Sequence, residues 1–387
     1  MTPAARQAAA IEILDRWAQG QPIEAGLTGW ARASRFAGSK DREAVRDLVF
    51  QAVRRRRSAA ALGGGETGRA LVLGLARADG QAPDWTGAGY GPAALDDAEL
   101  ALCAAPLPDL PRGMALDCPD WLLPAFDAAL GAQTDATLSL MRDRAPVFVR
   151  VNTARARPVD VLADLARDGI AAQPHPLAPT ALVITENPRR LRTTDAYLTG
   201  RFELQDAASQ AVALDFARHV PPGSAVLDYC AGGGGKALAL AAAGLSITAH
   251  DANPARMKDL PERAERAGAR VTILPGAASG PWGAILADAP CSGSGSWRRA
   301  PEAKWTLTPE RLADLTAIQD QILAECAQLS APGAVIGYAT CSLLRAENED
   351  RITAFLASRP GWALEFQRRL GPLDGGDGFF LAVLRRN

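Results

Sequence analysis

From about residue 207 onward the chain repeats one pattern: a short apolar run, a turn carrying glycine or a polar residue, then a helical stretch. Ala225-Val226-Leu227 leads to Asp228 and a glycine run, and Ser246-Ile247-Thr248 leads to Asp251. Val271-Thr272-Ile273-Leu274 leads to a turn, and Ala284-Ile285-Leu286-Ala287 leads to Asp288. After helical spacing over roughly 309–330 and a Pro332-Gly333 turn, the run Val335 to Ala339 leads to Thr340 and Cys341. Short strands alternating with helices imply a parallel sheet with right-handed crossovers. In such sheets ligands gather at the carboxyl ends of the strands, which is where the unusual polar residues of this region fall.

The preceding sequence is built differently. Residues 1 to about 60 have helical spacing: Ala10, Leu14 and Trp17 share a face, and Ser39 is expected to cap a helix with Val45, Leu48, Val49 and Val53 on one side. That helix runs into Arg54-Arg55-Arg56-Arg57, which complements a helix C-terminus. A solvated face is the expectation for this run, and contact with RNA phosphates is the alternative. Loops are marked by Gly63-Gly64-Gly65 and by the Gly/Pro-rich stretch 79–92, and helical patterns continue to about 140. VFVRV at 147–151 and ALVIT at 181–185 are strand-like and flank a helical segment at 158–167. The expected domains are therefore 1–140, helical; 141–206, a small α/β subdomain; and 207–387, the parallel-sheet domain.

A length of 387 residues suits two or three domains, each with its own core. The formal net charge of −1 means that affinity for nucleic acid has to come from local patches. Lys40, Lys236, Lys258 and Lys304 are the only lysines, so nearly all positive charge is guanidinium. That group suits phosphates and stacked bases, although GC-rich coding produces the same bias. The cysteines at 103, 118, 230, 291, 326 and 341 form no CxxC and no His/Cys cluster with zinc spacing, so reduced thiols and no metal are expected. The N-terminus carries charge where a leader needs an apolar core, and no uncharged apolar run reaches the ~18 residues of a membrane span. A cytoplasmic protein without membrane contact is expected, and the lack of an obvious dimer stripe suggests a monomer.

VLDYCAGGGGKALAL combines a strand, a glycine turn and a helix, which lets backbone amides approach a ligand closely. A phosphate-binding P-loop is excluded twice, because Cys230 stands where its first glycine belongs and Ala237 replaces the magnesium-binding hydroxyl. A dinucleotide remains possible, with Asp251 on a ribose diol. S-adenosyl-L-methionine also presents a ribose diol and lacks a pyrophosphate, so the loop alone leaves both open.

Cys291 and Cys341 each lie in a turn at a strand end, within Pro-Cys-Ser-Gly and Thr-Cys-Ser, while Cys103, Cys118 and Cys326 read as small buried apolar groups. If strands four and five of the sheet are neighbours, Asp288, Cys291 and Cys341 converge on one pocket. A redox dithiol normally has its cysteines close in sequence. Carbon 5 of cytosine, by contrast, accepts a methyl group only after a thiolate has added to carbon 6, which makes the ring an enamine.

The segments D-A-P-C-S-G-S-G at 288–295, R-R-A-P-E-A-K-W at 298–305 and A-T-C-S at 339–342 resemble motifs of the RNA cytosine-C5 methyltransferases of the RsmB/Nop/Sun family. L-Q-D-A-A-S-Q at 204–210, D-Y-C-A-G-G-G-G-K at 228–236 and D-G-F-F-L-A-V-L at 377–384 extend the likeness from about 145 to the end. The resemblance implies an α/β fold: a Rossmann-like class I methyltransferase domain with a mostly parallel seven-stranded sheet, a small α/β insert and an N-terminal all-α domain. It makes Cys341 the nucleophile, Cys291 the thiol that assists release, and Asp288 the group that holds and protonates N3 while lying near the cofactor. S-adenosyl-L-methionine would be lined by Cys230, Ala231, Gly232, Gly233, Gly234, Gly235 and Lys236, with Asp251 on its ribose. Arg298, Arg299 and Lys304 are expected to face RNA or to brace the site.

Two departures accompany the likeness. Gly232 and Gly233 replace the Ala-Pro of the family loop and Ala237 its hydroxyl, and extra glycine raises the entropic cost of ordering the loop. The aspartate after the third strand is missing, with Gly276 or Ala277 in its place, and Gly283 replaces the one before the fourth. The helical N-terminal region, with Gly38-Ser39-Lys40-Asp41-Arg42 entering an apolar helix, is similar to the NusB-type RNA-binding domain of bacterial members. Small-subunit ribosomal RNA is the substrate this implies. The alternative is a non-catalytic RNA-binding or ribosome-assembly factor with a degenerate cofactor pocket.

Overall fold

The computed structural model describes residues 1–387, which divide into two compact units. The first comprises Met1–Asp127, Gly131–Arg144 and Trp297–Thr306; the second comprises Ala128–Leu130, Ala145–Ser296 and Leu307–Asn387. No helix is long and apolar enough to cross a membrane.

The first unit is helical, beginning with Pro3–Ala18, Ile23–Ala33, Ser39–Arg54, Arg56–Gly63 and Gly68–Ala78. Its core gathers Ala10, Ile13, Leu14, Val45, Val49, Val53, Leu71 and Leu75 at i, i+3, i+4 spacing. Ser39 is the first helical residue rather than the cap; Gly38 precedes the helix, and its amide donates to Asp41 Oδ2 at 3.2 Å.

The Arg54–Arg57 run is neither a solvated face nor open to phosphate. Arg54 is buried and donates to the Arg298 carbonyl at 2.7 Å. Arg55 pairs with Asp143 at 2.8 Å, Arg56 with Glu66 at 2.9 Å, and Arg57 holds Asp120 through both guanidinium nitrogens at 2.7 Å. The segment from 297 to 306, expected inside the parallel-sheet domain, belongs to this helical unit. Lys304 Nζ donates to the Arg54 carbonyl at 3.1 Å and Trp305 Nε1 to the Val53 carbonyl at 2.7 Å. Those carbonyls lie in the last turn of a helix, where no backbone amide follows to satisfy them.

The second unit contains two sheets. The smaller has strands β1 (Val147–Val151), β2 (Ala172–Pro174), β3 (Ala181–Ile184) and β4 (Phe202–Leu204), all antiparallel, in the order β2-β3-β1-β4. The larger comprises β5 (Val226–Asp228), β6 (Ile247–Ala249), β7 (Val271–Ile273), β8 (Trp282–Asp288), β9 (Ser330–Thr340), β10 (Trp362–Leu370) and β11 (Phe379–Arg386). Its order is β10-β11-β9-β8-β5-β6-β7, parallel from β9 to β7, with β11 antiparallel to both β9 and β10. The parallel strands β5 to β9 are those that the sequence pattern implied, and the seven-stranded, parallel-dominated sheet is the architecture that the family resemblance implied.

Both faces of this sheet are covered. On one side Val226, Ala284, Leu286, Val335 and Leu381 pack with Ala208, Val212 and Phe216 of the helix Ala207–His219 and with Leu240 of the helix Gly235–Ala242. On the other, Ile285, Ile336, Tyr338 and Phe380 meet Ile322 and Leu323 of the helix Pro309–Gln328, and Ile352 and Phe355 of the helix Glu349–Ser358. The strict alternation along β9 follows from the period of two that a strand imposes.

Gln210 joins the two sheets. It is buried, accepts the Thr180 hydroxyl at 2.8 Å and donates to the Val149 carbonyl at 3.3 Å, which gives the 204–210 segment a structural part.

Gly337, in mid-β9, has no side chain because the Phe216 ring occupies its place: a Cβ there would lie 2.4 Å from ring carbon Cδ2. Gly337→Ala should lower stability by about 1–3 kcal/mol through overpacking. Phe216→Leu should relieve part of that penalty, and a double-mutant cycle in urea with purely additive effects would refute the packing account.

Candidate active site

The parallel register fixes which residues emerge together. In β8 and β9 Asp288 lies opposite Ala339, and in β5 and β6 Asp228 lies opposite Ala249, so the functional turns all leave one edge of the sheet. Where β5 ends, the glycine turn folds back with Gly234 N on the Ala231 carbonyl at 2.9 Å. Gly232 and Gly234 take φ of +50° and +80°, a region costly for residues with a Cβ. At Gly234 a Cβ would also meet Leu260 at 2.2 Å. The absent Ala-Pro leaves room that arginines border, since a Cβ at Gly232 would come within 3.3 Å of Arg256 and one at Gly233 within 3.2 Å of Arg263.

Asp251 is buried and bridges the ends of β5 and β6. It accepts the Gly232 amide at 2.9 Å and the Asn253 amide at 2.9 Å, and Arg256 lies 3.2 Å away. Beside it is a cavity of about 500 Å³ walled by Tyr229, His250, Asp251, Gly276, Ala277 and Glu325, among others. Of the expected cofactor residues Asp251 alone forms part of this wall; the glycine loop acts on it through the Gly232 amide. The rings of Tyr229 and His250 stack at 4.8 Å, and Tyr229 is hydrogen-bonded to Glu325. Sequence reasoning missed these three residues, whose only signal was position just beyond a strand or on a following helix. Gly276 and Ala277, where the family aspartate is absent, leave the wall flat.

The thiol centre lies at the ends of β8 and β9. Cys291 Sγ and Cys341 Sγ are 3.4 Å apart, and both side chains are half-buried. Lys236, buried on the first turn after the glycine loop, pairs with Asp288 at 2.7 Å and lies 4.8 Å from the centre of the Phe379 ring. The structure thus brings Asp288, Cys291, Cys341 and Lys236 together. Lys236 entered the sequence analysis only as a cofactor contact, and its partner was not foreseen. Two close backbone contacts hold the turn: Gly295 N donates to the Cys341 carbonyl at 2.9 Å, and Gly378 N to the Gly295 carbonyl at 2.8 Å. A Cβ at Gly295 would sit 2.2 Å from the Gly378 oxygen, so the glycines of these two motifs serve each other.

The two sulfurs differ in acidity. The Cys341 thiol is held below its usual range by the hydrogen bond from Cys291, with Lys236 and the Ser296 hydroxyl acting alike against burial and Asp288. The Cys291 thiol is pushed well up by the same hydrogen bond and by burial. One sulfur is thus disposed to be a thiolate and the other to keep its proton. Cys230, also pushed up by burial, is no rival nucleophile.

Arg298 and Lys304 brace the helical unit. Both are buried; Arg298 donates to the Arg144 carbonyl at 3.0 Å, and Lys304 holds the helix end described above. Burial lowers the Lys304 ammonium to about 8, and its N–H donors meet the Arg54 carbonyl and the face of the Trp305 ring at 4.5 Å. Arg299 alone of the three is exposed.

A family model described as 16S rRNA methyltransferase RsmB/F matches residues 218–385, and one described as an RsmF/B-like ferredoxin-like domain matches 118–189. The chain belongs to the RsmB/F methyltransferase family. "Ribosomal RNA small subunit methyltransferase B" of Salmonella typhi is 31% identical over 284 residues, 69% of this chain and 66% of the relative. The alignment therefore spans just under two thirds of that relative's length. Among solved structures, the one titled PH0851 superposes with a TM-score of 0.80 at 22% identity, over 100% of this chain and 99% of that one. A methyltransferase homolog protein from Pyrococcus horikoshii gives 0.62 at 23% identity, over 71% of this chain and 98% of its own.

The cofactor of an RsmB/F-type methyltransferase is S-adenosylmethionine. The residues present fit it, because the cavity is of ligand size, Asp251 offers an acid at the second strand's end, and the Gly276–Ala277 wall leaves space for a flat ring.

Asp228, which opens the glycine turn, is buried, and its carboxyl is pushed up to about 7 by desolvation first and by Asp288 next, with Lys236 opposing. Between roughly pH 4 and 7 the folded protein keeps this proton while the unfolded chain has lost it, so stability falls as pH rises through that window. Asp228→Asn imitates the protonated form and should flatten the decline, by about 3–4 kcal/mol at most. Urea unfolding at several pH values checks this; an unchanged slope in the variant would show that the group is already ionised throughout.

Proposed function

We propose that this chain transfers a methyl group from S-adenosylmethionine to carbon 5 of a cytosine in RNA, through a transient bond between Cys341 and carbon 6. The observation that carries this is the pair of sulfurs 3.4 Å apart, one lowered and one raised in acidity, beside the Lys236–Asp288 pair. Ribosomal RNA of the small subunit is the substrate, a choice supported by the family description and by the names of the relatives.

The residues divide the work as follows. Cys341, as thiolate, adds to carbon 6, and electron density moves into the ring towards N3. Asp288 holds the N3 edge and passes it a proton, with the Lys236 ammonium 2.7 Å away as the nearest reserve. Carbon 5 then has the nucleophilicity it lacked in the aromatic base. Bound S-adenosylmethionine supplies an electrophilic methyl group. Asp251 and the Cys230 to Lys236 turn are the residues that would hold it. Loss of the carbon 5 proton to water and return of the N3 proton to Asp288 restore the aromatic ring as the carbon 6–sulfur bond breaks, and the Cys291 S–H donates a hydrogen bond to the departing Cys341 thiolate. The target base has to leave its stack to meet both thiols, as is general for enzymes that act on a ring.

With RNA and S-adenosylmethionine, Cys291→Ala should accumulate a protein–RNA adduct that survives denaturing gels, because addition proceeds and release does not. Cys341→Ala should form none, and bisulfite sequencing of 16S ribosomal RNA from a strain carrying it should lose one 5-methylcytosine. The reverse pattern would exchange the two roles, and no adduct in either variant would remove the covalent step.

A further inference from the structure

The short turn Arg345–Glu347 after the second thiol carries a side chain outside every site named so far. Glu347 is completely buried, at 0% exposure. Its Oε1 accepts the Ser292 amide at 2.7 Å and the Gln319 amide at 3.1 Å, and its Oε2 accepts the hydroxyls of Ser292 and Ser342. Two bonds on each oxygen is the acceptor pattern of an ionised carboxylate. The four donors are neutral, so the charge stays in place inside a medium of low dielectric.

Their location is informative. Ser292 follows Cys291 directly, and Ser342 follows Cys341 directly, so one carboxyl group fastens both thiol-bearing turns. Gln319 also donates to the Pro290 carbonyl at 2.9 Å, immediately before Cys291. Ser294 lies 3.0 Å from the Ser342 hydroxyl and accepts the Leu343 amide at 2.9 Å. Asn348 donates to the Ser342 carbonyl at 2.9 Å, and the Tyr338 hydroxyl donates to the Glu347 carbonyl at 2.6 Å.

The titratable groups around the sulfur pair are Glu347 on this turn, Lys236 on the helix Gly235–Ala242, Asp288 on β8 and Tyr338 on β9. Lys236 and Asp288 act on Cys341. Glu347 acts on Cys291, in the direction that raises its thiol, after the hydrogen bond to Cys341 and burial.

We infer that Glu347 is a positioning residue for methyl transfer, one that fastens both thiol-bearing turns, sets the separation of Cys291 and Cys341 and holds a buried carboxylate beside Cys291. The inference rests on the methyl-transfer role proposed for the pair. A Cys291 that lost its proton would face a second thiolate 3.4 Å away, and neither sulfur could then stabilise the other's departure.

Site-resolved alkylation of the full-length protein by iodoacetamide, read by peptide mapping at about pH 8, tests this without RNA or cofactor. Glu347→Gln keeps the length and removes the charge; its amide oxygen can still accept from the Ser292 and Gln319 amides, while its nitrogen donates to the hydroxyls of Ser292 and Ser342, which must turn to accept. It should speed Cys291 alkylation by several-fold, because a buried negative charge that disfavours the thiolate is gone. Glu347→Asp keeps the charge and shortens the reach; Cys291 should stay slow, while kcat falls about tenfold or more at a cofactor KM close to wild type. Cys291 reacting at the wild-type rate in Glu347→Gln, or as fast in Glu347→Asp as in Glu347→Gln, overturns the inference. If Glu347→Gln does not fold, Ser342→Ala removes one of the four bonds to Glu347, together with the contacts of that hydroxyl to Ser294 and the Leu344 amide, and leaves the charge: a lowered kcat with Cys291 still slow supports the role, and an unchanged kcat overturns it. Should the wild-type protein methylate no RNA, the proposed function fails, yet alkylation still decides whether Glu347 governs the Cys291 proton.

Discussion

The parallel pairing of β8 with β9 is the constraint on which the site depends. Because Asp288 stands opposite Ala339, the turns leaving the two strands emerge side by side, and cysteines far apart in sequence come within hydrogen-bonding distance. A shift of register by one residue would turn each side chain to the other face of the sheet. The register is held by layers on both sides: Phe216 fills the place above Gly337, and Tyr338, next in sequence, points into the opposite core. Core packing and the geometry of the sulfurs are therefore one problem, since whatever lets β9 slide also separates the thiols.

Given that placement, the two cysteines could still have been equivalent. They differ first because Cys291 donates the hydrogen bond that Cys341 accepts, and then because Lys236 favours the Cys341 thiolate against Asp288 while Glu347 disfavours one at Cys291. Such differences persist only where water is scarce, as bulk solvent would reduce each interaction to a fraction of its buried strength. The buried positions of Lys236 and Glu347 are thus part of the chemistry. A buried carboxylate is costly unless its oxygens are satisfied, and here backbone, amide and hydroxyl donors supply that satisfaction.

The parallel strands β5 to β9 were legible in the sequence because a doubly covered strand reads as a short apolar run between turns. β10 was not: Trp362–Leu370 carries Glu365, Gln367, Arg368 and Arg369 and lies at the sheet's edge, so its pattern resembles a charged connection. Asp288, Cys291, Cys341 and Asp251 stood out because strand-end turns are where polar residues are unusual. Glu347 did not, since Arg345-Ala346-Glu347-Asn348-Glu349-Asp350 has the composition of a solvated loop, and only the fold reveals that one of its acids points inward. The acidity difference between the sulfurs was equally invisible, because it arises from groups brought in from other elements.

Basic residues were where composition misled most. The Arg54–Arg57 run and the Arg298–Lys304 segment look like a surface for phosphate, yet Arg54, Arg298 and Lys304 are buried on backbone carbonyls, and Arg55, Arg56 and Arg57 are paired with acids. Affinity for a nucleic-acid backbone comes from cations that replace condensed counterions, and a guanidinium already neutralised by a carboxylate contributes little to that exchange. Exposed basic residues of the helical unit include Arg32, Arg35, Lys40 and Arg299. The distinction between buried and available arginine, rather than their number, therefore determines where a chain of net charge −1 can meet RNA.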